Sequence, residues 1–178
     1  MPFQIDVISD VVCPWCFIGK RNLERALEMW QVQHPDEAPV VRWHPFQLNP
    51  DLPASGVPRK QYLENKFGGP ARAKEIYARV SAAGERVGID FACDSIQAQP
   101  NTIDAHRLMH HAGELGKPDA MAEVIFRRYF LEGADLTNRE TLADIAQQAG
   151  LDRDETLAYL AGDAAPAEAE FPAVLGAL

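Results

Sequence analysis

The sequence predicts an α/β protein that opens with a strand, helix and strand and continues almost entirely as helices. Three observations lead there: a short alternation of apolar and polar residues at the start, a long stretch of helical apolar spacing behind it, and a β-branched and aromatic run ending at Phe46. In "FQIDVIS", Phe3, Ile5 and Val7 alternate with Gln4 and Asp6 until Ile8 breaks the pattern, which suits a short strand buried mostly on one side. Cys16, Leu23, Leu27 and Trp30 then recur on one face of a helix expected from about Pro14 to Gln33, which Pro35 and Pro39 end. "PVVRWHPF", from Pro39 to Phe46, supplies the second strand. A helix between two strands makes them parallel neighbours joined by a right-handed crossover.

Composition changes after "QLNPDLPASGVP" (Gln47 to Pro58), a segment punctuated by Pro and Gly. Pro58 suits the first position of a helix over "RKQYLENKFG", and a further helix is expected from about Pro70 to Val87. Asn101 can cap "TIDAHRLMHHAGELG", and "PDAMAEVIFRRYFLEG" follows with residues for a buried face. Thr137 with Glu140, and Asp152 with Glu155, have capping-box spacing, and Gly150 and Gly162 stop the helices they start. Residues 58–162 therefore read as an all-helical insertion behind a βαβ part at 1–57.

With 178 residues and 47% hydrophobic content the chain can fill a core. A formal net charge of -9 argues against nucleic acid or an anionic membrane as partner, since both demand clustered Lys and Arg. The start "MPFQIDVISD" carries no basic segment followed by an apolar core, and no run reaches the length of a membrane span, so a cytoplasmic setting is expected. In a reducing compartment a C-x-x-C pair is seldom a permanent staple, which leaves redox chemistry or metal binding.

Two of the three cysteines lie in "VVCPWCFIGKR", at the mouth of the first helix. Cys13 falls at the cap, Pro14 at the first helical position, Trp15 at the second and Cys16 at the third. Proline there gives up an N–H that has no helical partner, and its fixed φ presets the first turn. A sulfur at the cap can accept from the free amides, and the positive end of the helix dipole favours a thiolate, so a lowered pKa is expected at Cys13. Cys16, one turn on and at the start of the apolar stripe, is expected to be more shielded. An exposed Cys13 can attack a disulfide and Cys16 can then displace the partner. Trp15 brings no titratable donor, which predicts a less acidic Cys13 than a histidine there would give. Zinc is disfavoured because only Cys93, in "DFACDS", remains as a further thiol ligand; Cys93 reads as a core or loop thiol.

His106, His110 and Glu114 share one helical face at i, i+4 and i+8, a spacing that metal ligands and ordinary packed faces both adopt; no metal site is expected. His44, in "RWHPFQLNP", could sit by the helix entrance, though a structural role suits it better. Tyr62, Asn101 and His106 are candidates for a substrate cleft between the helical part and the βαβ unit.

At "SDVVCPWCFIGKR", with "PFQLNPDLP" and "PNTIDAHRLMHHA", the chain resembles the DsbA-like thioredoxin superfamily. More narrowly it is similar to the FrnE-type branch, related to 2-hydroxychromene-2-carboxylate isomerases. The resemblance implies a thioredoxin-like α/β fold with a large helical insertion, Cys13 as nucleophile, Cys16 as resolving cysteine, Pro14 and Trp15 tuning the potential, and a groove beside them for a protein or small-molecule disulfide. It implies no bound redox cofactor, with glutathione admissible as co-substrate. The superfamily also places a cis-proline and a strand hairpin opposite the cysteines. Gly56-Val57-Pro58 imitates that loop, but it precedes the insertion and is a decoy. "APAEAEFPAVLGAL" reads as the closing helix within 163–178, so the hairpin is expected to be missing between about Ala164 and Pro166; Pro172 is no substitute. Such a loss leaves an open edge on the first strand and favours a homodimer. The expected function is thiol–disulfide exchange. One alternative is a glutathione-dependent isomerase of an aromatic or polyketide substrate, whose relatives commonly carry serine at the position of Cys13. Another is a non-catalytic binding module, which predicts an ordinary thiol at Cys13.

Overall fold

The computed structural model describes residues 3–162. Strand β1 (Gln4–Ser9) leads into helix α1 (Pro14–Gln33), and β2 (Val40–Pro45) returns beside β1. The two strands run parallel, paired from Gln4 with Val40 to Ser9 with Pro45. Helix α1 starts and stops where its proline and its apolar spacing predict. Next come β3 (Val57–Pro58), α2 (Arg59–Phe67), α3 (Pro70–Glu85), a short 3-10 turn (Cys93–Ser95) and β4 (Ala98–Gln99). Helices α4 (Ile103–Glu114), α5 (Pro118–Glu132), α6 (Arg139–Gln148) and α7 (Arg153–Ala161) complete the described chain. The fold is thus mixed α/β with seven helices among the described residues, as the sequence predicts.

One apolar cluster binds the opening unit to the helices. Phe17, wholly buried on α1, stacks on Phe126 of α5 with centroids 5.1 Å apart and meets Phe91 edge-on. Val11, Val12 and Ile18 belong to the same cluster as Leu108, Ile125, Phe130 and Leu142, so the core runs across the 57/58 boundary. Burying one such phenylalanine contributes about 1.5–3 kcal/mol. A polar clamp flanks it. Lys20, 3% exposed, meets Glu24 on its own helix and Asp119 and Glu123 on α5 at 3.3 and 3.2 Å. Arg21 grips Glu123 at 2.6 Å.

Several local expectations need correction. Residues 58–162 are not all-helical, because Ala98–Gln99 pairs antiparallel with Val57–Pro58. Two-residue strands leave no periodicity in a sequence, so tertiary packing alone reveals them. Gly56 permits the pairing. Its φ is 69°, and a Cβ there would stand 2.8 Å from the Gln99 carbonyl oxygen. Gly56-Val57-Pro58 thus has a local structural use, and no cis peptide occurs among the described residues. Pro58 precedes α2 instead of opening it. Thr102 is the cap of α4, although the Asn101 side chain still accepts from the Ile103 amide at 3.0 Å. Asn138, not Thr137, caps α6 by accepting from the Glu140 amide, because Thr137 turns to Asp135 instead. The Asp152 cap on the Glu155 amide forms as expected.

Among the described residues β1 pairs with β2 alone, and Phe3, Ile8 and Val40 remain 42%, 37% and 47% exposed. The expected closing helix in 163–178, the junction between Ala164 and Pro166, and Pro172 lie outside the described residues. No described helix is long and apolar enough to cross a membrane.

Candidate active site

The turn from β1 into α1 aims the cysteines. Val11 and Val12, each 5% exposed, anchor it, and the Cys13 amide donates to the Asp10 carbonyl at 3.1 Å. Cys13 is extended (φ -92°, ψ 110°) and Pro14 occupies the first helical position. Both cysteines are free thiols and partly buried, while Trp15 is 54% exposed. Cys13, Pro14 and Trp15 line a groove of about 290 Å³ with Tyr62, Lys66 and Tyr77. Cys16 does not line this groove and packs on the core cluster.

Protonation of the pair departs from expectation. At the start of α1 no side-chain hydrogen bond from Cys13 closes the cap among the described residues, and the Cys16 amide donates to the Cys13 carbonyl at 3.0 Å. The Cys13 thiol itself hydrogen-bonds to Cys16. That bond draws the Cys16 pKa down to about 6 against the opposition of burial, with smaller help from the Ser9 hydroxyl and the Asp10 amide. The same bond, and then burial, pushes Cys13 up, although the Trp15 and Cys16 amides still favour its anion. One proton shared between the two sulfurs stabilises a single anion of the pair, so the pair as a unit gives up its first proton more readily than an ordinary thiol.

Behind the cysteines lies a buried acid that the sequence reading did not single out. Asp10 is 1% exposed, and its carboxylate accepts from the Leu48 amide at 2.8 Å. His106, 2% exposed, brings Nε2 to within 3.1 Å of Asp10 and 3.2 Å of the Phe46 carbonyl. Both partners are acceptors, so Nε2 carries the proton. The only sequence signal for Asp10 is its place between the first strand and the cysteine motif.

Of the three cleft candidates and His44, Tyr62 shares the groove with Cys13. Its hydroxyl donates to Asn49 at 2.7 Å and accepts from Lys66 at 2.8 Å. Asn101 braces the preceding loop, donating to the Leu52 and Pro50 carbonyls at 2.7 and 3.2 Å. His44 is tied to Asp6 across β1 and β2 at 2.6 Å, a contact that holds Asp6 below the usual carboxylate range. His44 and His106 line a separate cavity of about 610 Å³, with Val41, Trp43, Met109 and Phe126. His110 turns to the Tyr159 hydroxyl at 3.2 Å, and no three His, Cys, Asp or Glu side chains gather as a metal site among the described residues. Burial lifts the Cys93 thiol.

A thiol pair opening the first helix of a βαβ unit, with helices packed behind it, defines a thioredoxin-type protein. The chain belongs to the family of the DSBA-like thioredoxin domain, whose family model matches residues 4–170. It is 28% identical over 156 residues to the uncharacterised protein YwbO of Bacillus subtilis, covering 85% of this chain and 68% of that protein. A Streptomyces coelicolor structure described as a "probable DsbA oxidoreductase" superposes with a TM-score of 0.80 at 28% identity, covering 91% of this chain and 69% of that one. A 2-hydroxychromene-2-carboxylate isomerase shares the fold, with a TM-score of 0.64 at 15% identity over 96% of this chain and 76% of its own.

Proposed function

We propose that the protein is a thiol–disulfide oxidoreductase that works through Cys13 and Cys16 without a bound redox cofactor. The observation that carries this reading is the hydrogen-bonded pair itself. One thiol opens on a groove and the other is backed by the core and lowered to about 6. The Cys16 thiolate takes the Cys13 proton across their hydrogen bond, which places the charge on the sulfur with access to substrate. The Cys13 thiolate then attacks one sulfur of a disulfide, and the leaving thiolate takes a proton from the medium. Cys16 loses its proton and attacks Cys13, closing the Cys13–Cys16 disulfide and releasing the second thiol. One electron pair passes from the protein to the substrate, and the reverse sequence oxidises a substrate dithiol. Pro14 and Trp15 frame the reacting sulfur and tune the potential. Partners are disulfides or thiols of proteins or small molecules, and a cytoplasmic setting is part of this proposal.

Replacing Cys13 by Ser is expected to abolish reduction of an insulin-like disulfide, and full retained activity refutes the nucleophile. Replacing Cys16 by Ser is expected to trap mixed disulfides, seen on a non-reducing gel. A second reading, glutathione-dependent isomerisation, draws support from the shared fold of the 2-hydroxychromene-2-carboxylate isomerase. It predicts turnover that needs glutathione and survives loss of Cys16.

A further inference from the structure

The groove beside Cys13 stands over a buried cation that no described carboxylate neutralises. Arg59, at the start of α2, is 2% exposed. It donates through Nη1 to Gln99 Oε1 at 2.6 Å and to the Tyr129 hydroxyl at 2.9 Å, and through Nη2 to the Tyr77 hydroxyl at 2.8 Å. Its Nε is buried without a partner among the described residues. All three acceptors are neutral. A guanidinium at such depth is ordinarily matched by an acid, because desolvating an unpaired charge is costly.

Two of these partners carry the charge to the groove, since Tyr77 and Gln99 both line it. Arg59 can only donate, so it occupies the Tyr77 oxygen and the Gln99 carbonyl oxygen as acceptors. Each keeps a donor that it can offer to the groove, a phenolic hydrogen from Tyr77 and an amide NH2 from Gln99. At the rim the Lys66 ammonium donates to Tyr62 and lies over the Tyr62 and Phe67 rings. Among the described residues no Asp or Glu lines the groove, in a chain whose formal net charge is -9. Its remaining walls are mostly aromatic and aliphatic, with Trp15, Leu63, Phe67 and Ile76, and Asn49 is the further polar residue, its Oδ1 accepting from Tyr62. The volume of about 290 Å³ suits a small ligand or a short peptide segment.

We propose that this groove is a subsite for a carboxylate on the thiol or disulfide that reacts at Cys13, with Tyr77, Gln99 and Lys66 as donors and Arg59 as the positioning residue beneath. The favoured substrates are small acidic disulfides and thiols. The carboxylate is unchanged in the reaction, and the electron pair moves only among sulfurs as described for exchange. This inference rests on Cys13 as the reacting sulfur.

The test compares the oxidation rate of the reduced protein by dithiodipropionate, hydroxyethyl disulfide and cystamine, which carry negative, neutral and positive ends. The carboxylate disulfide is expected to react roughly tenfold faster than the neutral one, and the cationic one slowest. Salt is expected to shrink the preference. Tyr77→Phe and Lys66→Met are each expected to narrow the ratio of carboxylate to neutral rates, and they keep the idea testable if Arg59→Met does not fold. Equal rates for all three overturn the subsite and leave the exchange reading standing. Reaction with none sinks the exchange reading, and the subsite is then decided by calorimetry on Cys13→Ser with S-methylglutathione and its diester. Tighter binding of the acid, weakened by Tyr77→Phe, supports the subsite; equal binding overturns it.

Discussion

Cys13 and Cys16 differ less in exposure than in what stands behind them. Cys13 faces the groove, whereas Cys16 packs on the core cluster, where the Cys13 thiol is the main cause of its lowered pKa. If the Cys13 hydrogen bond is the main cause of the lowered Cys16 pKa, Cys13→Ala moves thiolate absorbance upward from about 6 toward the ordinary thiol value. An unmoved titration would show that the helix entrance alone stabilises the anion. Asp10 is tested differently. Asp10→Ala strips the Leu48 amide and His106 of a buried acceptor and is expected to cost about 1–3 kcal/mol in denaturant unfolding.

The motif is presented by α1, and α1 is held by α5. Phe17 and Lys20 serve that attachment in different ways. Phe17→Ala empties a fully buried ring site among Phe91, Phe126 and Phe130, and is expected to destabilise by about 3–5 kcal/mol. Lys20→Met is expected to cost less, about 1–2 kcal/mol, because its acidic partners Glu24, Asp119 and Glu123 stay 26–63% exposed and water can solvate them. A larger loss for Lys20→Met than for Phe17→Ala would reverse this ranking.

The whole molecule carries the pair's linkage to pH. The Cys16 pKa is about 6 folded against 9.0 as reference, so the unfolded chain binds more protons between these values. Its contribution is fully present above 9.0, declines as pH falls and is gone below about 6. Cys13 is raised instead, so its contribution is lost above the ordinary thiol range. The reduced protein is therefore expected to gain stability from pH 6 to 9, relative to a Cys13→Ala, Cys16→Ala variant, and to lose that gain beyond. Parallel slopes in chemical denaturation of the two proteins would contradict the linkage. Elsewhere, burial opposes the charge on Lys20 but its three carboxylates outweigh it and raise its pKa, so this network holds through the neutral range.

Sequence by itself determined the βαβ opening, the start and stop of α1 and the seating of Cys13 and Pro14 at its mouth, because proline geometry and apolar period are local properties of the chain. It also marked Tyr62 without a physical reason that would have ranked it above His44 or Asn101. Tertiary structure alone decided that Asp10 and His106 meet behind the cysteines, 96 residues apart in sequence, that β3 finds β4, and that Arg59 lies beneath the groove among Gln99, Tyr129 and Tyr77. Those facts depend on which distant elements share a boundary, and no local pattern encodes that.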